Sequence, residues 1–378
     1  MKIFIDDTTL RDGEQTPGVI FTRGEKIRIA KLLDKIGIDE IEAGIPAAGK
    51  EEKENFKAIV DLGLNAKIIA WNRALISDVI ESIDAGAKAV EISLPLSDIQ
   101  IKSKLRKDRK WILEHIKKVL DFCKKNNLYV SVGGEDASRA DIDFIIEYIK
   151  VIKEYGGDRF RYCDTVGIMD PFKMYETIKT LKDETGIEIE VHTHNDFGLA
   201  TANAIAGIKA GASYVNTTVI GLGERAGNAS LEEVIMILKH IMGEDVDYKV
   251  QYLRELSEFV AKSSGRQIEP YKPVIGTFMF THESGIHVDG VIKDPLNYEA
   301  FSPEEIGMER KIVIGKHSGK SALVYVLKKY GMLIPENSIG SLLDLVKRKS
   351  YYLKRNLTDE EFIDLARKFS RKIGKNKI

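Results

Sequence analysis

The sequence predicts an α/β fold: a (β/α)8 TIM barrel followed by a C-terminal mainly helical region. Three observations carry this expectation. Eight short strand-like segments alternate with amphipathic segments from residue 2 to about residue 240. No GxGxxG follows the first strand, which favours a closed barrel over an open doubly wound sheet. The 378 residues exceed one average domain but suit a barrel of about 250 residues with an appendage.

The strand candidates, in order, are Lys2–Asp6, Glu40–Ala43, Lys67–Trp71, Ala89–Leu94, Leu128–Val132, Arg159–Cys163, Ile187–His192 and Tyr214–Val219. Between them run helical stripes, such as Ile112, Ile116, Val119, Leu120 and Cys123 at i, i+4, i+7, i+8 and i+11. Thr22-Arg23-Gly24-Glu25 has capping-box form, Ser138 precedes Asp141 at a helix start, and Gly37, Gly63, Gly86 and Gly211 sit at helix ends. The rhythm stops at Gly243-Glu244-Asp245-Val246-Asp247, so the barrel is assigned to residues 1–247. Residues 248–378 are assigned to helical subdomains carrying an active-site lid and dimer contacts. Apolar side chains there, such as Leu342, Leu343, Leu345 and Val346, need burial, and a second copy of the chain would supply it. Gly315 to Ser321 hints at a phosphate-binding loop, but the glycine spacing is one residue short and no strand-loop-helix unit surrounds it.

Composition bounds the function. The 57 basic and 58 acidic side chains nearly cancel, leaving no footprint for nucleic acid or a membrane surface. Apolar runs are short, and Met1-Lys2-Ile3-Phe4-Ile5 lacks a signal-peptide core, so a cytoplasmic enzyme is expected. The high Lys and Glu content points weakly to a thermophile. Of the two cysteines, Cys123 reads as core, and Cys163 as a buried small hydrophobe or a site residue.

Val191-His192-Thr193-His194-Asn195-Asp196 closes an alternating strand, so His192 and His194, at i and i+2, present two imidazoles to one side. Read alone, the pair is either half of a metal site or two polar residues at a strand end. The first strand runs into Asp6-Asp7-Thr8-Thr9-Leu10-Arg11-Asp12-Gly13-Glu14-Gln15, where a carboxylate could complete the site. Polar residues recur at strand ends: Arg11 and Asp12, Glu42, Asn72 and Arg73, Glu135, Thr165, His192 and His194, and Asn228. In a parallel barrel all of these converge on one rim.

Four segments in chain order, Asp7 to Gln15, His192 to Asp196, Gly221 to Asn228 and Glu283 to Gly290, resemble the DRE-TIM metallolyase family. Within it they are similar to the Claisen-condensing branch of homocitrate, 2-isopropylmalate and citramalate synthases. Asp6 to Val19, Val130 to Asp141 and Arg161 to Gly167 look most like the homocitrate synthases of nitrogenase cofactor assembly, whose reaction also serves lysine biosynthesis. The resemblance implies a divalent metal (Mg, Mn, Co or Zn) on Asp12, His192 and His194, with Asn228 a further ligand. A 2-oxo acid would chelate it, and acetyl-CoA would be the second substrate. Arg11 would neutralise oxyanion charge, His287 would remove a methyl proton, Glu135 would assist that step or the thioester hydrolysis, and Thr165 would bind a carboxylate. In this family such C-terminal regions cross to the partner barrel, so a homodimer is implied and His287 would serve the neighbouring site. Plainer readings stay open: an Arg11–Glu42 rim salt bridge, a structural His287, and Asn228 capping the helix near Ser230.

Two departures stand out. This sequence does not include the regulatory domain of the long 2-isopropylmalate synthases, so feedback through such a domain is not expected. Lysine-pathway homocitrate synthases grip the distal carboxylate of 2-oxoglutarate with a strand-five arginine; the aligned residue here is Ser131. Ser131 and Arg73 are assigned to substrate binding, with Arg139 and Arg161 as other candidate cations. The expected reaction is homocitrate formation from 2-oxoglutarate; 2-isopropylmalate or citramalate synthesis is the alternative. The lyase branch uses a cysteine after strand eight and the carboxyltransferases a strand-six lysine, and neither is found here. A non-catalytic binding barrel should have lost rim residues, and none of the matched ones is missing.

Overall fold

The computed structural model describes residues 2–244 and 246–375. Met1–Ile268 and Glu269–Ile378 form two compact units. In the first unit eight parallel strands close in sequence order into a barrel. They are β1 (Phe4–Asp7), β2 (Glu40–Gly44), β3 (Lys67–Arg73), β4 (Ala89–Pro95), β5 (Tyr129–Glu135), β6 (Arg159–Asp164), β7 (Glu188–Thr193) and β8 (Tyr214–Thr217). Ile5 and Asp6 of β1 pair with Val215 and Asn216 of β8, which seals the cylinder. The helices are α1 (Arg23–Ile36), α2 (Lys50–Val60), α3 (Ile76–Asp84), α4 (Asp98–Gln100), α5 (Arg109–Lys125), α6 (Ile142–Glu154), α7 (Pro171–Thr185), α8 (Ala200–Lys209), α9 (Leu231–His240) and α10 (Leu253–Ser263).

Local signals are used as the sequence suggests. Thr22 and Glu25 form a reciprocal capping box at α1, and Gly37 ends that helix at φ 100°, a left-handed geometry that glycine adopts without steric penalty. At α6 the N-cap is Asp141 itself, whose carboxylate accepts from Phe144 N at 3.0 Å. The stripe from Ile112 to Cys123 is buried on α5.

The division between the units differs from the boundary expected after residue 247. Leu253, Leu256 and Val260 of α10 are buried. Arg28 of α1 lies over the Phe259 ring at 4.2 Å, and Lys35 over the Tyr252 ring at 3.5 Å. The apolar face of α10 is thus covered by α1, which keeps residues up to 268 with the barrel. Asp245, in the segment where the rhythm was expected to stop, lies outside the described residues.

The barrel lumen is charged rather than apolar. Every residue of β6 is buried, and its Phe160 and Tyr162 alternate with Arg159 and Arg161. Arg161 reaches Asp6 and Glu42 at 2.8 Å each and Glu190 at 3.0 Å. Arg159 meets Glu190 at 2.8 Å, Asp6 at 3.3 Å and Glu40. Since β6 neighbours neither β1 nor β2, these pairs cross the lumen, so the arginine rows point inward. Stripping one partner from such a buried set would leave an uncompensated charge.

The second unit is mainly helical, with a two-stranded parallel ladder of β9 (Thr281–His282) and β10 (Lys311–Ile312). Its helices are α11 (Gly285–Lys293), α12 (Lys320–Lys329), α13 (Glu336–Leu353) and α14 (Asp359–Lys375). One core gathers Val288, Leu323, Leu327, Leu342, Val346 and Phe362, with Leu343 packed against it. Leu342 and Val346 are therefore buried by their own unit, and their apolar faces do not require a second copy of the chain. Gly315 N is bonded to Ser318 Oγ at 2.9 Å in a short turn before α12. No described helix is long and apolar enough to cross a membrane.

Candidate active site and metal centre

The segment after β1 is held rigidly. Asp7 accepts from Thr9 N at 3.0 Å, and Thr8 Oγ1 donates to Glu42 Oε1 at 2.8 Å. This turn delivers Arg11 and Asp12 to the barrel mouth, both buried. Arg11 Nη1 donates to Asp12 Oδ1 at 2.8 Å, its Nε contacts Glu42, and its guanidinium lies over the Trp71 ring at 5.6 Å. The Arg11–Glu42 pair thus exists, but it holds the guanidinium against Asp12 rather than away from it. Burial alone would raise the Asp12 carboxyl; Arg11, the two histidines and the Asn228 hydrogen bond together outweigh it and keep the group ionised well below the usual range.

His192 and His194 come from the end of β7 with their Nε2 atoms 3.1 Å apart. His192 Nδ1 lies 2.6 Å from Asn216 Oδ1, an acceptor, so Nδ1 carries the proton and Nε2 is left bare. Asn216 is fixed in turn by donating to Glu190 at 3.2 Å and Asp6 at 3.3 Å. Burial pushes the His192 imidazole down to about 3, with His194 adding to the effect, and burial lowers His194 too. Both rings are neutral, the form that binds metal. Asp12, His192 and His194 form a group whose ligand atoms all lie within 4.8 Å of one another.

Asn228 completes the cluster. Its Nδ2 donates to Asp12 Oδ2 at 2.6 Å and to Leu222 O at 2.9 Å, while Oδ1 is buried without a hydrogen-bond partner. It does not cap α9, whose N-cap is Ser230. An orphaned amide oxygen beside two neutral imidazoles and a carboxylate is a donor set that fits a divalent cation.

Around this cluster lies a cavity of about 290 Å³. Arg11, Asp12, His192, His194, Glu135 and Thr165 line it, all anticipated from sequence. Glu135 is clamped by Lys104 at 2.7 and 2.8 Å, and Thr165 Oγ1 accepts from Asp136 N at 2.8 Å. Cys163 lines the cavity as well, its thiol pushed far up by burial.

Several assignments need correction. Arg73 is not among the lining residues; it is exposed and forks onto Asp78 at 2.7 and 3.1 Å. Asn72 turns outward to α3, accepting from Ser82 Oγ at 2.7 Å. Arg139 is spent on Asp136, at 2.7 Å. Ser131 pairs in register with Arg159, one layer below Arg161, and accepts from Arg159 Nε at 3.0 Å; it does not line the cavity. Of the candidate cations, Arg161 lines it. Glu91, Ser93, Trp71, Lys104 and Arg225 also line it without having been singled out. Arg225 lay within the glycine-rich segment already marked, and pairs with Asp196 at 2.7 Å. Lys104 stands in a π-turn after α4 and gave no sequence signal.

His287 belongs to the second unit. It is exposed on α11, its ring stacked on Tyr298 with centroids 4.2 Å apart. The flanking glycines serve close packing rather than mobility. A Cβ at Gly285 would meet Gly319 Cα at 2.8 Å, and one at Gly290 the Tyr298 ring at 2.5 Å. His282 is a buried partner of Glu299 at 3.0 Å.

The family described as HMGL-like matches residues 2–260, and the homocitrate synthase post-HMGL domain-like family matches residues 274–352. A 2-isopropylmalate synthase 2 from Caldanaerobacter subterraneus subsp. tengcongensis is 54% identical, over 96% of this chain and 94% of that protein. Homocitrate synthase 1 from Nostoc sp. is 50% identical, over 97% of each. Among solved structures, the Bacillus subtilis HMG-CoA lyase superposes with a TM-score of 0.64 at 20% identity, covering 71% of this chain and 95% of that one, a likeness of fold.

Proposed function

The chain belongs to the HMGL-like family, in its Claisen-condensing branch, and on that premise we propose that it is a homocitrate synthase. It condenses acetyl-CoA with 2-oxoglutarate and water, releasing homocitrate and CoA. The family's synthases share acetyl-CoA and a 2-oxo acid as substrates; the choice of acid is what the cavity decides. The observation that carries the reading is Arg161, a buried guanidinium lining the cavity that also holds the metal cluster. Apart from Trp71 and Cys163 the lining is polar or charged. A branched apolar acid would leave these groups desolvated without partners, whereas a second carboxylate would meet a cation.

The roles follow from the contacts. A divalent ion held by Asp12, His192 and His194, with Asn228 Oδ1 towards it, would polarise the ketone of the 2-oxo acid. Arg11, fixed by Glu42 and Asp12, stabilises negative charge as it develops on oxygen. His287 takes the methyl proton of acetyl-CoA. Glu135, held by Lys104, assists enolisation or activates the water that cleaves the thioester. Thr165 donates to a substrate carboxylate.

The 2-isopropylmalate reading is favoured by one observation, the 54% identical relative of that name. Thiol release from acetyl-CoA, measured with added Mg or Mn against 2-oxoglutarate, 2-oxoisovalerate and pyruvate, decides between them. We expect kcat/KM to favour 2-oxoglutarate by tenfold or more, about 1.4 kcal/mol of transition-state preference. The same margin for 2-oxoisovalerate or pyruvate would replace the assignment.

The enzyme acts in the cytoplasm as a homodimer in this reading. Phe278, Ile286 and Leu296 of the second unit, 60%, 76% and 79% exposed, supply apolar surface for such an interface. Light scattering at micromolar concentration should give twice the chain mass; a fully active monomer would contradict it.

A further inference from the structure

Two residues that line the cavity each carry a buried polar atom without a hydrogen-bond partner: Arg161 Nε and Glu91 Oε2, 3.6 Å apart. Arg161 Nε makes no hydrogen bond although Glu190 Oε1 lies 3.0 Å away. Its other two nitrogens are committed to Glu42 and Asp6, so Nε is the one left to face a ligand. A lone buried N–H and a lone carboxyl oxygen at this spacing can grip the two oxygens of a single carboxylate, provided that the carboxyl carries a proton.

We propose that Glu91 and Arg161 together form the receptor for the distal carboxylate of the 2-oxo acid, Arg161 donating from Nε and Glu91, as the neutral acid, from Oε2. This rests on the homocitrate reading and adds that the diacid enters with a proton on Glu91. The charge balance of the lumen is compatible with it. Asp6, Glu40, Glu42, Glu91 and Glu190 share Arg159 and Arg161, while Arg11 also serves Asp12 and Lys67 caps Glu40. Acids outnumber bases before metal or substrate arrives, and burial raises Asp6 as well as Glu91, so the lumen holds neutral acids, of which Glu91 is the one that lines the cavity. The groups facing Glu91 are Arg161 and Cys163 of β6, Glu190 of β7, Glu42 of β2, Tyr148 of α6 and, through a hydrogen bond that favours the charged form, Ser131 of β5. Burial, with Glu190 and Glu42 adding to it against the opposing pull of Arg161, pushes the Glu91 carboxyl up to about 7. The protonated form binds the diacid, so affinity is full below that value and falls as pH rises through it, by about tenfold per unit. A 2-oxo acid without a distal carboxylate escapes this dependence.

The test is calorimetry of the metal-loaded enzyme with 2-oxoglutarate at pH 8, in two buffers of different ionisation enthalpy. It is paired with kcat/KM against pH for 2-oxoglutarate and pyruvate. We expect close to one proton taken up with 2-oxoglutarate, a fall in its kcat/KM above pH 7 relative to pyruvate, and loss of both effects in Glu91→Gln, whose amide donates at any pH. The wild-type proton uptake stands whether or not the variant folds. If 2-oxoglutarate is the preferred substrate but binds without proton uptake, the role of Glu91 falls and the homocitrate assignment survives. If 2-oxoglutarate is neither bound nor turned over while 2-oxoisovalerate is, both are overturned.

Discussion

His194→Ala is expected to abolish condensation and to weaken metal binding by more than a hundredfold while leaving the barrel folded. His194 Nδ1 has no hydrogen-bond partner, and its Nε2 meets His192 Nε2, so truncation removes a contact within the metal-binding cluster itself. Loss of groups that merely orient metal ligands costs roughly ten- to a hundredfold in affinity, and losing a ligand costs more. Asp12→Asn should act similarly through charge. It removes the anion that Arg11 and Asn228 bracket, while keeping the side chain's shape. Metal content after dialysis against Mg or Mn, thiol release, and the unfolding midpoint with and without metal would be measured together. A ligand at a hundred times its Kd stabilises the folded state by about 2.7 kcal/mol. The wild type should therefore gain a metal-dependent rise in midpoint that His194→Ala lacks. Full turnover by His194→Ala with unchanged metal content would end the metal assignment.

The barrel was legible because parallel strands between helices leave a repeated signal, and all eight strands fall where the alternation put them. The metal ligands were legible for the same geometric reason: i and i+2 on extended backbone share a face, and the extended backbone continues past β7 into a bridge between His194 and Asn228, which keeps His192 beside His194. What the sequence concealed was depth. Arg159 and Arg161 are two residues apart on one face, yet only Arg161 lines the cavity, and the partner register sinks Ser131 to the layer of Arg159. No local pattern reports how far down a closed lumen a residue lies. Arg73 and Arg139 were misjudged differently, since each is consumed by a nearby carboxylate, Asp78 and Asp136. The domain boundary moved because α10 reads as one more amphipathic helix, and only tertiary contact reveals that α1 covers its face.

His287→Ala is expected to lower kcat by roughly a hundred- to ten-thousandfold, the usual cost of removing a general base. That range is about 2.7 to 5.4 kcal/mol of barrier, at about 1.36 kcal/mol per decade. KM for the 2-oxo acid should stay near the wild-type value, because the cavity built by Arg11, Glu135, Thr165 and Arg161 lies wholly in the first unit. The substitution should be structurally mild. His287 is exposed, and its described ring contact is the stack on Tyr298, so an alanine leaves no buried void and no orphaned donor. The decisive readout separates proton abstraction from carbon–carbon bond formation: exchange of the acetyl-CoA methyl protons with deuterated solvent, in the presence of metal and a 2-oxo acid. The base assignment requires that exchange to fall in step with kcat. A structural histidine on α11 would give a lowered unfolding midpoint with methyl exchange intact, and wild-type exchange in His287→Ala would refute the role.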